Sequence, residues 1–242
     1  MSDRLTPLLG LAGVEAAMAE ARDAVDTAMR HRALRRSGGP VAAELGLRSA
    51  VASAALEGHG YDREAVRAGL VTDPVLQGAL RVSGALDGLV PLWGTAPRQA
   101  LARLHVLAAR GCVDEADLGR PLAPSPRLDA LADLLVTPGT TPALLRAAVV
   151  HGELLALRPF AGPGGVVARA AGRLTLIAGG LDPRGLLAVE VGHLAREPEY
   201  VGAANAFATG TADGVRAWLR HVAAAVVVAA TELTEVCDEL SS

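Results

Sequence analysis

The segment Thr140–Asp182, TTPALLRAAVVHGELLALRPFAGPGGVVARAAGRLTLIAGGLD, decides how the chain is read. It spells helix, tight glycine turn, helix. Thr141 can cap the first helix, with Pro142 in the first helical position, where no backbone N–H is needed. From Leu144 to Leu157 the apolar residues run too continuously for a helix with one wet face, so this helix should be buried all round. Arg158-Pro159 ends it, because the residue before a proline is pushed out of the α region. Gly162, Pro163, Gly164 and Gly165 then form a turn that permits close backbone approach. A second apolar helix starts near Val166, covers Val167–Ala178, and stops at the C-cap signal Gly179-Gly180.

A glycine turn feeding a buried helix gathers free N–H groups and the positive end of the helix dipole at one point, which suits an anion. Arg169, about one turn into the helix, could reach the same spot. By itself the pattern also fits a plain turn between two core helices.

Arg158–Arg169, RPFAGPGGVVAR, resembles the Fic (Fido) family motif H-P-F-x-[D/E]-G-N-G-R-x-x-R, laid on without gaps. Pro159, Phe160, Gly165 and Arg169 match, Leu157 holds an apolar position, and His151 falls where many members carry a histidine in the preceding helix. Arg158 stands in place of the catalytic histidine and Gly162 in place of the metal-binding acid. Pro163 and Gly164 replace the Gly-Asn of the phosphate loop, and Val166 replaces the first arginine. Upstream, Ser53–Gly58, SAALEG, fits the pattern [S/T]-x-x-x-E-[G/N] of the family's inhibitory helix, here about residues 41–58. The resemblance implies that Glu57 pairs with Arg169 and blocks the place of a nucleotide γ-phosphate, making Ser53, Glu57 and Gly58 regulatory. Without the resemblance, Glu57 is a solvated helix-end residue. A carboxylate there opposes the helix dipole, and a cationic partner would account for it.

The resemblance runs from about Val41 to the last helix. It implies an all-α Fic fold with at most a short β-hairpin flap. Residues 37–242 would form the Fic-like domain, with the core motif at 158–169, and residues 1–36 a helical extension.

The 242-residue composition agrees with a helical core of Leu, Val and Ala, since 51% of residues are hydrophobic but only 2% aromatic. All 23 basic residues are arginines. The net charge of −3, with no basic block, argues against nucleic acid as a partner. Cys112 and Cys237 lack metal-ligand spacing and read as free thiols in a reducing compartment. The N-terminus shows no leader pattern, and the apolar run Val222–Ala230, flanked by Arg220 and Glu232, is too short to span a bilayer. The expectation is a cytoplasmic protein off the membrane, with its oligomeric state open.

Elsewhere the chain reads as further helices. Leu11–Arg32 comes first, then the break Ser37-Gly38-Gly39-Pro40, then Val41–Leu56. Asp62 caps a short helix to Ala68. Pro74 opens one to Leu86, interrupted by Gly78 and Gly84, and Pro97 opens an amphipathic helix ending at Gly111. Its apolar face comprises Leu101, Leu104, Val106, Leu107 and Ala108, and His105 reads as a packed or surface histidine with no partner at metal spacing. Cys112–Pro126, with three prolines, is the one non-helical stretch, with at most one strand pair. Helices follow over Arg127–Leu135, from Pro183 to Leu194 with Asp182 as cap, from Pro198 to Ala208, and from Ala212 to about Glu239 with Thr211 as cap.

Fic enzymes move AMP from ATP onto a protein hydroxyl, which needs a general base, a divalent metal and phosphate donors. Arg158 stays protonated and cannot be the base. Gly162 offers magnesium no carboxylate, and Val166 removes a cation. Gly164, Gly165 and Arg169 remain to hold a nucleotide or another anion; Pro159, Phe160 and His151 keep structural roles. His151 and Glu153 are two apart and face different sides of their helix, so they do not rebuild a site. The expectation is a catalytically degenerate Fic relative that binds a protein partner, with no metal site. The alternative is an active transferase, moving AMP or another phosphate-containing group with non-standard residues. ATP and magnesium would be its cofactors.

Overall fold

Every residue from Val166 to Ile177 is buried, and the rest of the chain is layered on that helix and its partner. The computed structural model describes residues 4–137 and 139–241. The first three residues of the expected extension, Pro138 and Ser242 lie outside the described residues. The helices are α1 (Val14–Met29), α2 (Gly38–Ala55), α3 (Arg63–Arg67), α4 (Pro74–Trp93), α5 (Pro97–Ala109) and α6 (Pro126–Val136). They are followed by α7 (Ala143–Leu157), α8 (Gly164–Ala178), α9 (Val189–Ala195), α10 (Glu197–Ala208) and α11 (Ala212–Glu239). Among the described residues there is no strand, only a lone bridge between Arg110 and Val113, and the stretch expected to be non-helical holds a short 3-10 helix, Glu115–Asp117.

Local chemistry sets most boundaries. The carboxylates of Asp62 and Asp73 accept from Ala65 N and Leu76 N, each at 2.9 Å, at the starts of α3 and α4. The hydroxyls of Ser125 and Thr211 accept from Leu128 N and Gly214 N, both at 3.2 Å, at the starts of α6 and α11. Prolines occupy the first turns of α4, α5, α6 and α10, where an N–H has no partner to lose.

Helices α7 and α8 form a central layer with an aliphatic core on each side. One core joins Leu144, Leu145 and Ala148 of α7 to Val14 and Val25 of α1 and to Trp218, Val226 and Leu233 of α11. The other joins Val150 and Leu154 of α7 and Val167, Ala171 and Leu174 of α8 to Leu86, Trp93, Leu101 and Leu104. Thus α1 is packed into the core by Val14, Ala21 and Val25. α11 is long and apolar enough to cross a membrane by length and composition, but its apolar side lies in the core. Arg48, itself buried, ties α2 to α11 by donating to Glu44 and Glu232, each at 2.7 Å, and to Glu239.

Several expectations are corrected. α4 runs unbroken past Leu86 to Trp93. Gly78 does not interrupt it but lets the Ala108 carbonyl of α5 come within 2.1 Å of where a Cβ would stand. Residues 183–188 are not helical, because the buried Asp182 carboxylate takes Leu186 N at 2.8 Å and Leu187 N at 2.9 Å, folding a loop. α2 begins at Gly38 rather than after a break, with Gly38 pressed under the Arg184 guanidinium. Pro142 is the N-cap of α7 rather than its first residue, and α8 starts at Gly164. Of the expected face of α5, Val106 is exposed and Leu107 only half-buried.

Candidate functional site

The turn between α7 and α8 is shaped by two left-handed residues. Arg158 (φ 44°) is the one non-glycine with positive φ among the described residues, and its N–H still closes α7 on Leu154 O at 3.0 Å. Its side chain is exposed. Gly162 adopts φ 73°, and a Cβ there would stand 2.7 Å from Val113 Cγ1. The turn is pinned from beneath by His105. Its ring stacks on Phe160 with centroids 4.7 Å apart, Nε2 donates to Ala161 O at 2.8 Å, and Nδ1 accepts from Gly119 N at 2.9 Å. Burial pushes the His105 imidazole below its ordinary range, in keeping with this neutral tautomer. The preceding segment also docks directly, Leu122 N donating to Pro159 O at 2.8 Å.

Glu57, just past the end of α2, reaches the turn. A Cβ on Gly165 would stand 2.0 Å from Glu57 Oε1, so only glycine admits the carboxylate here. Arg169 Nη2 donates to that oxygen at 2.7 Å and to Ser53 O at 2.8 Å, and Nε donates to Ser53 Oγ at 3.0 Å. Nη1 donates to Tyr200 Oη at 3.3 Å. Since the Tyr200 oxygen accepts from Arg169, its O–H is free to donate to His151 Nε2, 3.0 Å away. Burial, then the Arg169 charge, holds His151 well below the ordinary histidine range. The Arg169 side chain is 2% exposed and that of Glu57 21%. An anion already sits at the start of α8, and it is the protein's own carboxylate.

The structure therefore brings together Ser53, Glu57, Gly165, Arg169 and, through Tyr200, His151. Gly58 (φ 88°) lets the chain leave α2 directly after Glu57. Gly164 opens α8 with nothing near its Cβ position. Arg158 lies apart on the surface, and Glu153 faces outward to Arg127. No cluster of three or more His, Cys, Asp or Glu suited to a metal occurs among the described residues.

Two features escaped the sequence reading. Arg173, one turn beyond Arg169, repeats the first rung. It donates to Ser49 Oγ at 2.7 Å and Gly185 O at 3.0 Å, and Ser49 Oγ donates to Glu190 at 2.6 Å. Its one trace in the sequence is the shared four-residue spacing of Ser49 and Ser53 and of Arg169 and Arg173, which by itself does not pair the two sets. The second is a buried cluster of His151, His193, His221, Tyr200 and Trp218, with His193 Nδ1 and His221 Nε2 3.0 Å apart. Its histidines are scattered over 71 residues and carry no local pattern.

A search of solved structures places this geometry. No protein-family model matches the sequence, and no curated protein matches it either. A crystal structure of a Fic family protein from Desulfovibrio desulfuricans G20 superposes with a TM-score of 0.75 at 23% identity, over 93% of this chain and 74% of that one. Fic-1 from C. elegans superposes at 0.74 with 20% identity, over 98% and 76%. At these identities the likeness establishes architecture: the protein has the all-helical Fic fold.

Proposed function

We propose that this protein is a non-catalytic member of the Fic fold that acts by binding a protein partner, with its anion-binding turn closed by Glu57. The observation that carries this is the Glu57 carboxylate seated against Gly165 and held by Arg169. The surrounding chemistry supports it. A guanidinium at position 158 cannot take a proton from a hydroxyl. At position 162 the left-handed backbone and the nearby Val113 side chain disfavour the side chain that a carboxylate would need. A general base alone contributes about 10²–10⁴-fold to such a transfer, and the metal ligand is missing with it. Released by Glu57→Gly, Arg169 Nη2 would be open to a phosphate-sized anion at the start of α8.

The test uses the purified protein and Glu57→Gly, with calorimetric titration of ATP and mass spectrometry after incubation with ATP and magnesium. The expected result is weak ATP binding by Glu57→Gly alone and no AMP adduct on either protein or on co-purified partners. A magnesium-dependent adduct would replace this reading with that of an active transferase.

A further inference from the structure

Behind the turn, on the far side of Tyr200 and His193, α1 and α10 both flank α11 and leave between them a groove of about 730 Å³. That falls within the roughly 300–1,000 Å³ of small-molecule sites. Its depth comes from alanines, Ala203 and Ala206 on α10 and Ala217 and Ala224 on α11, where larger side chains would fill the space. Arg196, Arg216 and Arg220 line it, against Glu20 and Glu199. Arg196 is bonded to Glu199, and Arg216 reaches Asp213 at 3.1 Å. Arg220 forms no ion pair among the described residues.

His221, 5% exposed, forms the floor. Its Nε2 meets His193, but its Nδ1 has no hydrogen-bond partner, and neither does the buried Nε of Arg196 beside it. Buried polar atoms almost always have one. A guanidinium Nε can only donate, so what this site lacks is an acceptor. With Arg196 paired to Glu199 and Arg216 to Asp213, Arg220 is the lining arginine left without an ion pair among the described residues, and one free guanidinium suits a monoanion better than a phosphate dianion.

We propose that this groove binds a small organic monoanion with an apolar body, of the medium-chain carboxylate class. The carboxylate accepts from Arg220 and from the Arg196 edge above His221, and the hydrocarbon lies along the alanines and Val227. Nothing in this proposal depends on the state of the Glu57 turn.

Octanoate and inorganic phosphate serve as probes on the full chain, by calorimetric titration and by NMR of histidine ring carbons. The His221 signal is identified by its loss in His221→Gln. Octanoate should bind saturably and shift the His221 signal. Binding should weaken about tenfold in Arg220→Ala, whose exposed side chain the fold does not need. It should vanish in Ala224→Leu or Ala206→Leu, either of which fills the groove, with the thermal midpoint as the check on folding. Phosphate should bind about tenfold more weakly than octanoate. Absence of any octanoate-dependent shift at His221 would overturn the proposal. So would octanoate binding insensitive to all three variants, or phosphate binding as tightly as octanoate.

Discussion

Arg169 Nη2 and Glu57 Oε1 meet at 2.7 Å across 112 residues of sequence, yet the two side chains are unequally buried, at 2% and 21% exposure. The inequality sets the first prediction. Arg169→Ala strips Ser53, Tyr200 and Glu57 of a shared donor and opens a hole between α2, α8 and α10. It should cost about 3–5 kcal/mol. Glu57→Ala leaves the guanidinium its Ser53 and Tyr200 partners, and water already reaches the carboxylate, so about 1–3 kcal/mol is expected. The double variant should cost less than the sum. Urea unfolding of the four proteins measures this, and strict additivity would count against the clasp.

Gly165→Ala should destabilise by about 1–3 kcal/mol, because its Cβ lands 2.0 Å from Glu57 Oε1 and the carboxylate has to leave. In a Glu57→Ala background the same change should be close to silent. A penalty of equal size in both backgrounds would place its cause in the backbone instead.

Gly162→Asp restores the carboxylate found at this position of the Fic motif, but into φ 73° and 2.7 Å from Val113 Cγ1. A left-handed non-glycine residue alone costs about 1–2 kcal/mol. The variant should melt lower and show no magnesium binding by titration. Val113→Ala should recover part of the stability, by relieving the contact but not the backbone.

Stability should fall on acidification below pH 6.5. Burial holds His151 and His193 well below the ordinary histidine range and lowers His221 to about 4, aided there by Arg196. Between those values and 6.5 the unfolded chain binds more protons, so the fold loses stability as pH drops through this window. His221 alone accounts for about 3 kcal/mol between 6.5 and about 4. Asp182, which burial raises to about 6, works in the opposite sense between about 6 and 3.8 and offsets a similar amount. Two further histidines leave a net loss. Thermal midpoints from pH 7 to 4.5 should therefore decline, less steeply in His221→Gln and more steeply in Asp182→Asn. A flat profile would contradict the buried neutral cluster.

The sequence by itself determined where most helices lie. Caps such as Asp62, Ser125 and Thr211 and first-turn prolines act on backbone groups within four residues, so their effect is local. It also determined that α7 is buried, since its apolar residues run too continuously to leave one face for water. The pairing of Glu57 with Arg169 was legible through the resemblance of two short motifs. What only the tertiary structure decided is of longer range. Whether Gly78 breaks α4 or serves a close helix crossing depends on α5 arriving there. Whether Asp182 starts a helix or folds a loop depends on its burial, which leaves its carboxylate only the nearby N–H groups of Leu186 and Leu187. The Arg173–Ser49 rung, the His105 pin and the histidine cluster join residues 124, 56 and 28 positions apart. Such contacts are fixed by the angles and offsets at which helices cross, and no residue's neighbours in sequence encode those.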